Sequence, residues 1–202
     1  MDLEKMYEGW KAALLTPEKV LAAAKRKASL EGGAKELAIG FAIAGVISGI
    51  VTTIYTFGLG VGAIIMAPIG MVIGGLVASL IFNAIVYVVA KVLNGKGSFG
   101  TQFHLSALVM VPVAIVNAAL GIIPVLGGLL GFLVSLFGIW LDILAVKEAH
   151  GFSTARAAAA VLVPIVVLLV IAMIFVAMFI ALAGVLGIAG LAGLAAWGQM
   201  GK

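Results

Sequence analysis

From Leu37 to Ala90 the chain carries no charged side chain. A helix needs only about 20 apolar residues to cross a hydrocarbon core, so this run holds more than one crossing. A second uncharged run extends from Ala157 to Gly198. A water-soluble fold needs a charged shell, yet only 10% of the 202 residues are charged, against roughly 25% in an ordinary soluble domain. The sequence therefore specifies an integral membrane protein, an all-α polytopic helix bundle.

Residues 1–35 are polar and lack the apolar core of a secretory signal peptide, so they are expected to remain in the mature protein. Leu3, Met6, Tyr7, Trp10, Ala13 and Leu14 recur at helical spacing among charged neighbours, which predicts a short amphipathic helix. Thr16 and Pro17 read as N-cap and first-turn proline of a second helix. Its stripe is Val20, Leu21, Ala24 and Ala28, and Gly32-Gly33 read as its end. Two placements are open. These helices lie in the headgroup region, with Trp10, Lys25, Arg26 and Lys27 touching lipid or a partner, or they pack on the loops of their own bundle.

The first span is expected at about 36–57, closed by the glycines of 58–62. The second is placed at about 71–90, because Pro68 and Gly70 sit where the long apolar run is expected to break. A polar loop at 94–98 precedes a third span from about His104 to Ile123 that carries Pro112. The fourth runs from about Leu129 to Val146, and the fifth starts near Ala155. The last uncharged run would be roughly 63 Å long as one helix, twice the need of a single span, so a break is expected in it. Residues 184–198 are left as a sixth crossing, a re-entrant segment or an interfacial helix. The expected division is thus an N-terminal amphipathic region (1–35), a five-span bundle (36–183) and a Gly-rich C-terminal segment (184–202).

Orientation follows from the 12 Lys and Arg residues. Most precede the first span; Lys91 and Lys96 border the second loop, and Lys147 and Arg156 the fourth. The loops after spans one and three have none. With five spans, the N-terminus and basic loops face the cytoplasm and the C-terminus faces outside.

Few residues offer chemistry. With no Cys, thiolate catalysis and Cys-based metal sites are excluded. Gly58-x-Gly60-x-Gly62 lacks the acidic residue of a dinucleotide fingerprint, and Gly95-Lys96 lacks phosphate-loop spacing. His104 and His150 are expected at the charged surface without the spacing of a metal pair, and Ser106 and Ser135 lack triad partners. No cofactor, metal or catalytic group is expected, and the basic pI is a topology signal rather than one for nucleic acid.

What remains is a short set of polar candidates. Asp142 is the only carboxylate inside an apolar span, at a nominal cost of about 2.5–3.5 kcal/mol at a helix centre. The simpler account has it reach the interface or pair with Lys147, Arg156 or His104; the other makes it a proton or cation relay. Asn83 and Asn117 are placed near mid-span, where interhelical hydrogen bonds of about 0.6–2 kcal/mol account for them. The loop with Lys96 and Ser98 is either a plain turn or a contact for anionic lipid heads. Gly45-x-x-x-Gly49, Gly70-x-x-x-Gly74 and Gly127-x-x-x-Gly131 are packing motifs, within the bundle or between copies.

The run from Ala90 to Phe99, the third span with Pro112, and the run from Lys147 to Ala157 together resemble the Yip (Ypt/Rab-interacting protein) domain family. Leu15-Thr16-Pro17-Glu18 is similar to the stretch that often opens its prokaryotic members. The resemblance covers about residues 10–182. It implies five spans with a cytoplasmic N-terminus and no catalytic residues, and the small chain is more like the bacterial and archaeal members, hence a prokaryotic cell membrane. Eukaryotic members act in vesicle trafficking and associate with Rab-type GTPases. Their hallmark Asp-Leu-Tyr-Gly-Pro segment is absent here, so that partnership is not carried over.

The expected function is a non-enzymatic membrane scaffold that self-associates or meets other membrane proteins and lipids, with a role in membrane organisation or trafficking. The alternative is a small transporter or channel with Asp142, Asn83 and Asn117 along a polar path.

Overall fold

The computed structural model describes the backbone of residues 3–200 and the side chains of residues 4–184. Among the described residues there are seven helices and no strand: α1 (Leu3–Leu15), α2 (Pro17–Lys25), α3 (Leu30–Tyr55), α4 (Ala63–Val92), α5 (Phe99–Leu120), α6 (Leu126–His150) and α7 (Thr154–Met200). Five are long and apolar enough to cross a membrane, α3 to α6 and residues 154–184 of α7. The chain divides into two units, residues 1–162 and 163–202.

In the first unit, α5 packs against α3, α4 and α6, and the two N-terminal helices lie on α5 and α6. Phe103, Leu105, Val109 and Val111 of α5 are fully buried, with Leu37 of α3 and Leu141 of α6 beside them in one core. Lipid is as apolar as a leucine core, so the long helices are held by close packing and hydrogen bonds rather than by exclusion of water. Gly45 and Gly49 of α3 face the stretch from Ala63 to Pro68 of α4 so closely that a Cβ on Gly45 would overlap the Pro68 backbone. The expected break at Pro68 therefore does not occur. The helix continues through the proline, and the glycine opposite gives its backbone room. Gly127 and Gly131 are likewise used within the bundle, against Leu120 and Asn117 of α5.

The N-terminal helices pack on their own bundle, against α5 and α6 rather than on its loops. Trp10, Ala13 and Leu21 are buried in the same core as α5 and α6, and where water is the alternative each large buried apolar side chain contributes about 1.5–3 kcal/mol. Trp10, expected to touch lipid or a partner, is only 6% exposed, and its indole Nε1–H donates to Glu36 Oε2 at 2.6 Å. Thr16 does not cap α2 with its side chain, because its hydroxyl donates back to Ala12 O at 3.2 Å. Gly32-Gly33 do not end α2 either. That helix stops at Lys25, Ser29 caps α3 by accepting the Gly32 N–H, and Gly33 lies inside α3, where a Cβ would meet the His104 backbone at 2.8 Å.

The second unit begins at residue 163, within α7. From Val166 to Leu182 its large apolar side chains are all exposed, a surface suited to lipid. The expected break is absent from the helix as assigned, Thr154–Met200. The sixth crossing proposed for residues 184–198 falls outside the described side chains.

Candidate functional site

The polar side chains gather where α4 ends, α5 begins, α6 ends and α7 begins. Asn94 closes α4 with φ 64°, a left-handed conformation that Asn tolerates better than most residues. Ser98 then caps α5, accepting the Thr101 N–H at 3.1 Å. At the far side of the loop cluster Gly151, with φ 68°, ends α6 in the left-handed region that favours glycine.

Starting α5 at Phe99 rather than His104 brings Gln102 into its first turn, fully buried. Gln102 Nε2 donates to Asn83 O at 2.9 Å and to Asn83 Oδ1 at 3.2 Å, and Asn83 Nδ2 donates to Ser79 O at 3.0 Å. On its other side Gln102 Oε1 lies 2.9 Å from His150 Nε2. The Gly97 N–H donates to His150 Nδ1 at 3.2 Å, so Nδ1 is the acceptor and the ring proton sits on Nε2, donated to Gln102. His150 is only 2% exposed, against the expectation of a surface position. Its ring stacks on Phe152, centroids 5.4 Å apart, with Tyr87 at 5.8 Å. Asn83, inside α4, joins the network at this end.

The same contacts pin the loop. A Cβ on Gly97 would meet Ala149 O at 2.5 Å, and the Lys96 N–H donates to His150 O at 3.3 Å. Lys25 reaches this end from α2, donating to Glu148 O at 2.5 Å with Glu148 Oε1 3.3 Å away. Lys147 faces Glu18 at 3.7 Å. Glu18 and Lys25 of α2, the loop with Lys96 and Gly97, and the end of α6 from Lys147 to His150, far apart in sequence, thus meet at the charged end of the bundle.

An open cleft of about 430 Å³ lies in that surface, lined by Lys25, Lys96, Gly97, Ser98, Thr101 and His150 among others. It unites three residues expected to contact lipid or a partner, Lys25, Lys96 and Ser98. Arg26 and Lys27 are exposed but do not line it. Sequence reasoning missed Gln102 and His150; a Gln close inside an apolar helix and a His at the end of another were the available signals.

Asp142 does not pair with Lys147, Arg156 or His104. It is buried, and Ser106 Oγ–H donates to its Oδ1 at 2.5 Å. Gln102 and Ser106 are one turn apart on α5, so the Asn83 and Asp142 pairs stand one above the other. Asn117 is separate. Its Nδ2 donates to Ser135 Oγ at 3.1 Å, and its Oδ1 is buried without a partner. Eleven residues of helix, about 16 Å, separate it from Ser106, and that interval holds Val109, fully buried, and Val113, half-buried against Gly138.

The Yip1 domain family matches residues 14–176, well over half of the chain. No curated protein and no solved structure matches.

Proposed function

Because the chain belongs to the Yip1 domain family, we propose that it is a non-enzymatic membrane scaffold that organises the bilayer around it, with a closed interior and an interacting surface. One observation carries the reading: the buried polar groups at the charged end are hydrogen-bonded to one another, and apolar Val109 and Val113 separate them from Asn117. A conduit through Asp142, Asn83 and Asn117 needs a polar path that this layer interrupts.

In this proposal the charged end and both N-terminal helices face the cytoplasm, following the placement of Lys and Arg, in a prokaryotic cell membrane. Self-association uses the outer face of α4. Gly70 and Gly74 have no atom within 4 Å of where a Cβ would stand, and Met66, Ile73, Val77 and Ile81 beside them are exposed. Such a small-residue face lets two helices approach closely. A Rab-type GTPase is not part of the proposal, since the segment that marks that partnership is missing.

The test is subunit counting by single-molecule photobleaching in bilayers, on the intact protein and on Gly70→Leu. The proposal expects oligomers that Gly70→Leu reduces to monomers without loss of the fold. Monomers in both proteins would remove self-association from it.

A further inference from the structure

The cleft at the charged end has a donor inventory that specifies its ligand. Lys96 is exposed and its ammonium makes no hydrogen bond or ion pair among the described residues, so all three of its N–H groups are available. Lys25 uses two on Glu148 O and Oε1 and keeps a third. Ser98 Oγ and Thr101 Oγ1 lie 2.9 Å apart; one hydroxyl proton serves that contact and the other is free. His150 contributes a wall rather than a bond, both ring nitrogens being used by Gly97 and Gln102.

Among the described residues no carboxylate lines the cleft. Glu148 is held by Lys25 and offsets part of that one charge. What the lining offers is therefore a surplus of donors with positive charge from two segments distant in sequence. Lysines are point-charge phosphate binders, and about 430 Å³ lies within the ~300–1,000 Å³ range of small-molecule sites.

The cleft's place in the fold identifies the source of the phosphate. It lies where α5 starts and α6 ends, both helices able to span a membrane, which is the level at which headgroup phosphates stand. We propose that this cleft binds the phosphate of an anionic phospholipid, with Lys96 as the main contact and Lys25, Ser98 and Thr101 completing the cradle. The inference rests on the proposal of a bilayer-organising scaffold whose charged end faces the cytoplasm. It is independent of self-association, which Gly70→Leu tests without touching the cleft.

The experiment titrates purified, delipidated full-length protein in detergent with short-chain phosphatidylglycerol, and in parallel with short-chain phosphatidylcholine and with inorganic phosphate, reading binding by calorimetry. The expected result is saturable binding of phosphatidylglycerol in preference to both others, weakened about tenfold or more by Lys96→Gln and abolished by Lys96→Glu. Lys27→Gln, which removes an equal charge outside the cleft, is expected to change binding by less than about twofold. Equal losses in Lys96→Gln and Lys27→Gln would overturn the proposal in favour of diffuse charge attraction. Unchanged binding in Lys96→Gln would overturn it outright, and inorganic phosphate binding as tightly as the lipid would overturn the lipid assignment.

Discussion

Gln102 and His150, in the first turn of α5 and at the last residue of α6, meet side chain to side chain at 2.9 Å with both essentially buried. Each is held on its other side, Gln102 by Asn83 and His150 by the Gly97 N–H. One chain of hydrogen bonds therefore fixes three helices and the loop that carries Lys96. Gln102→Leu leaves the Asn83 carbonyl groups and the His150 Nε2–H without that partner, and it is expected to lower stability by about 1–3 kcal/mol. Thermal unfolding in detergent, followed by circular dichroism, checks this; an unchanged melting temperature would count against the network.

Gly45 is the position at which α3 admits the proline of α4. Gly45→Val places side-chain atoms on the Pro68 backbone, and overpacking of this kind costs about 1–3 kcal/mol. The same substitution at Gly70, which faces open space, is expected to leave the melting temperature of the monomer unchanged. Equal destabilisation at the two sites would contradict the assignment of one motif to the inside of the bundle and the other to its surface.

The N-terminal helices are part of the core and not an appendage. Trp10→Ala is expected to cost about 3–5 kcal/mol, as for other buried Trp truncations, and to open α1 to trypsin at Lys5 and Lys11. Trp10→Phe keeps the bulk but leaves Glu36 Oε2 without its indole donor, so it should be milder. Limited proteolysis separates the outcomes: cleavage of Trp10→Ala no faster than that of the parent protein would mean that α1 is not docked.

The spans were legible because apolar runs longer than about 18 residues have few other uses, and the charged residues marked one end of the bundle. Close approach was not legible. Gly32-Gly33 and Pro68 read as breaks because glycine and proline usually interrupt helices, and only the partner helix shows that Gly33 admits His104 and Gly45 admits Pro68. Partner choice was equally hidden: Asp142 had Lys147, Arg156 and His104 as candidates, but Ser106 of α5 takes the bond. Lys25, Lys96 and Ser98 were each identified from local chemistry, while their convergence on one cleft depends on the docking of α2, for which sequence left two alternatives.

Topology has its own expected outcome. A reporter fused after Lys202 should be active outside the membrane and one fused at the N-terminus should be active in the cytoplasm, since the basic loops lie on one side when the spans number five. Both termini reporting from the cytoplasm would require an even number of crossings.

The closed interior is tested most directly by water accessibility, and the absence of native Cys makes single engineered cysteines unambiguous. Cysteine is placed at 83, 109 or 142, and a polar, membrane-impermeant thiol reagent is applied to the folded protein in bilayers. The scaffold account predicts no labelling at any of the three positions until the protein is unfolded. Rapid labelling at 109 together with 83 or 142 would reveal a water path through the valine layer and contradict it.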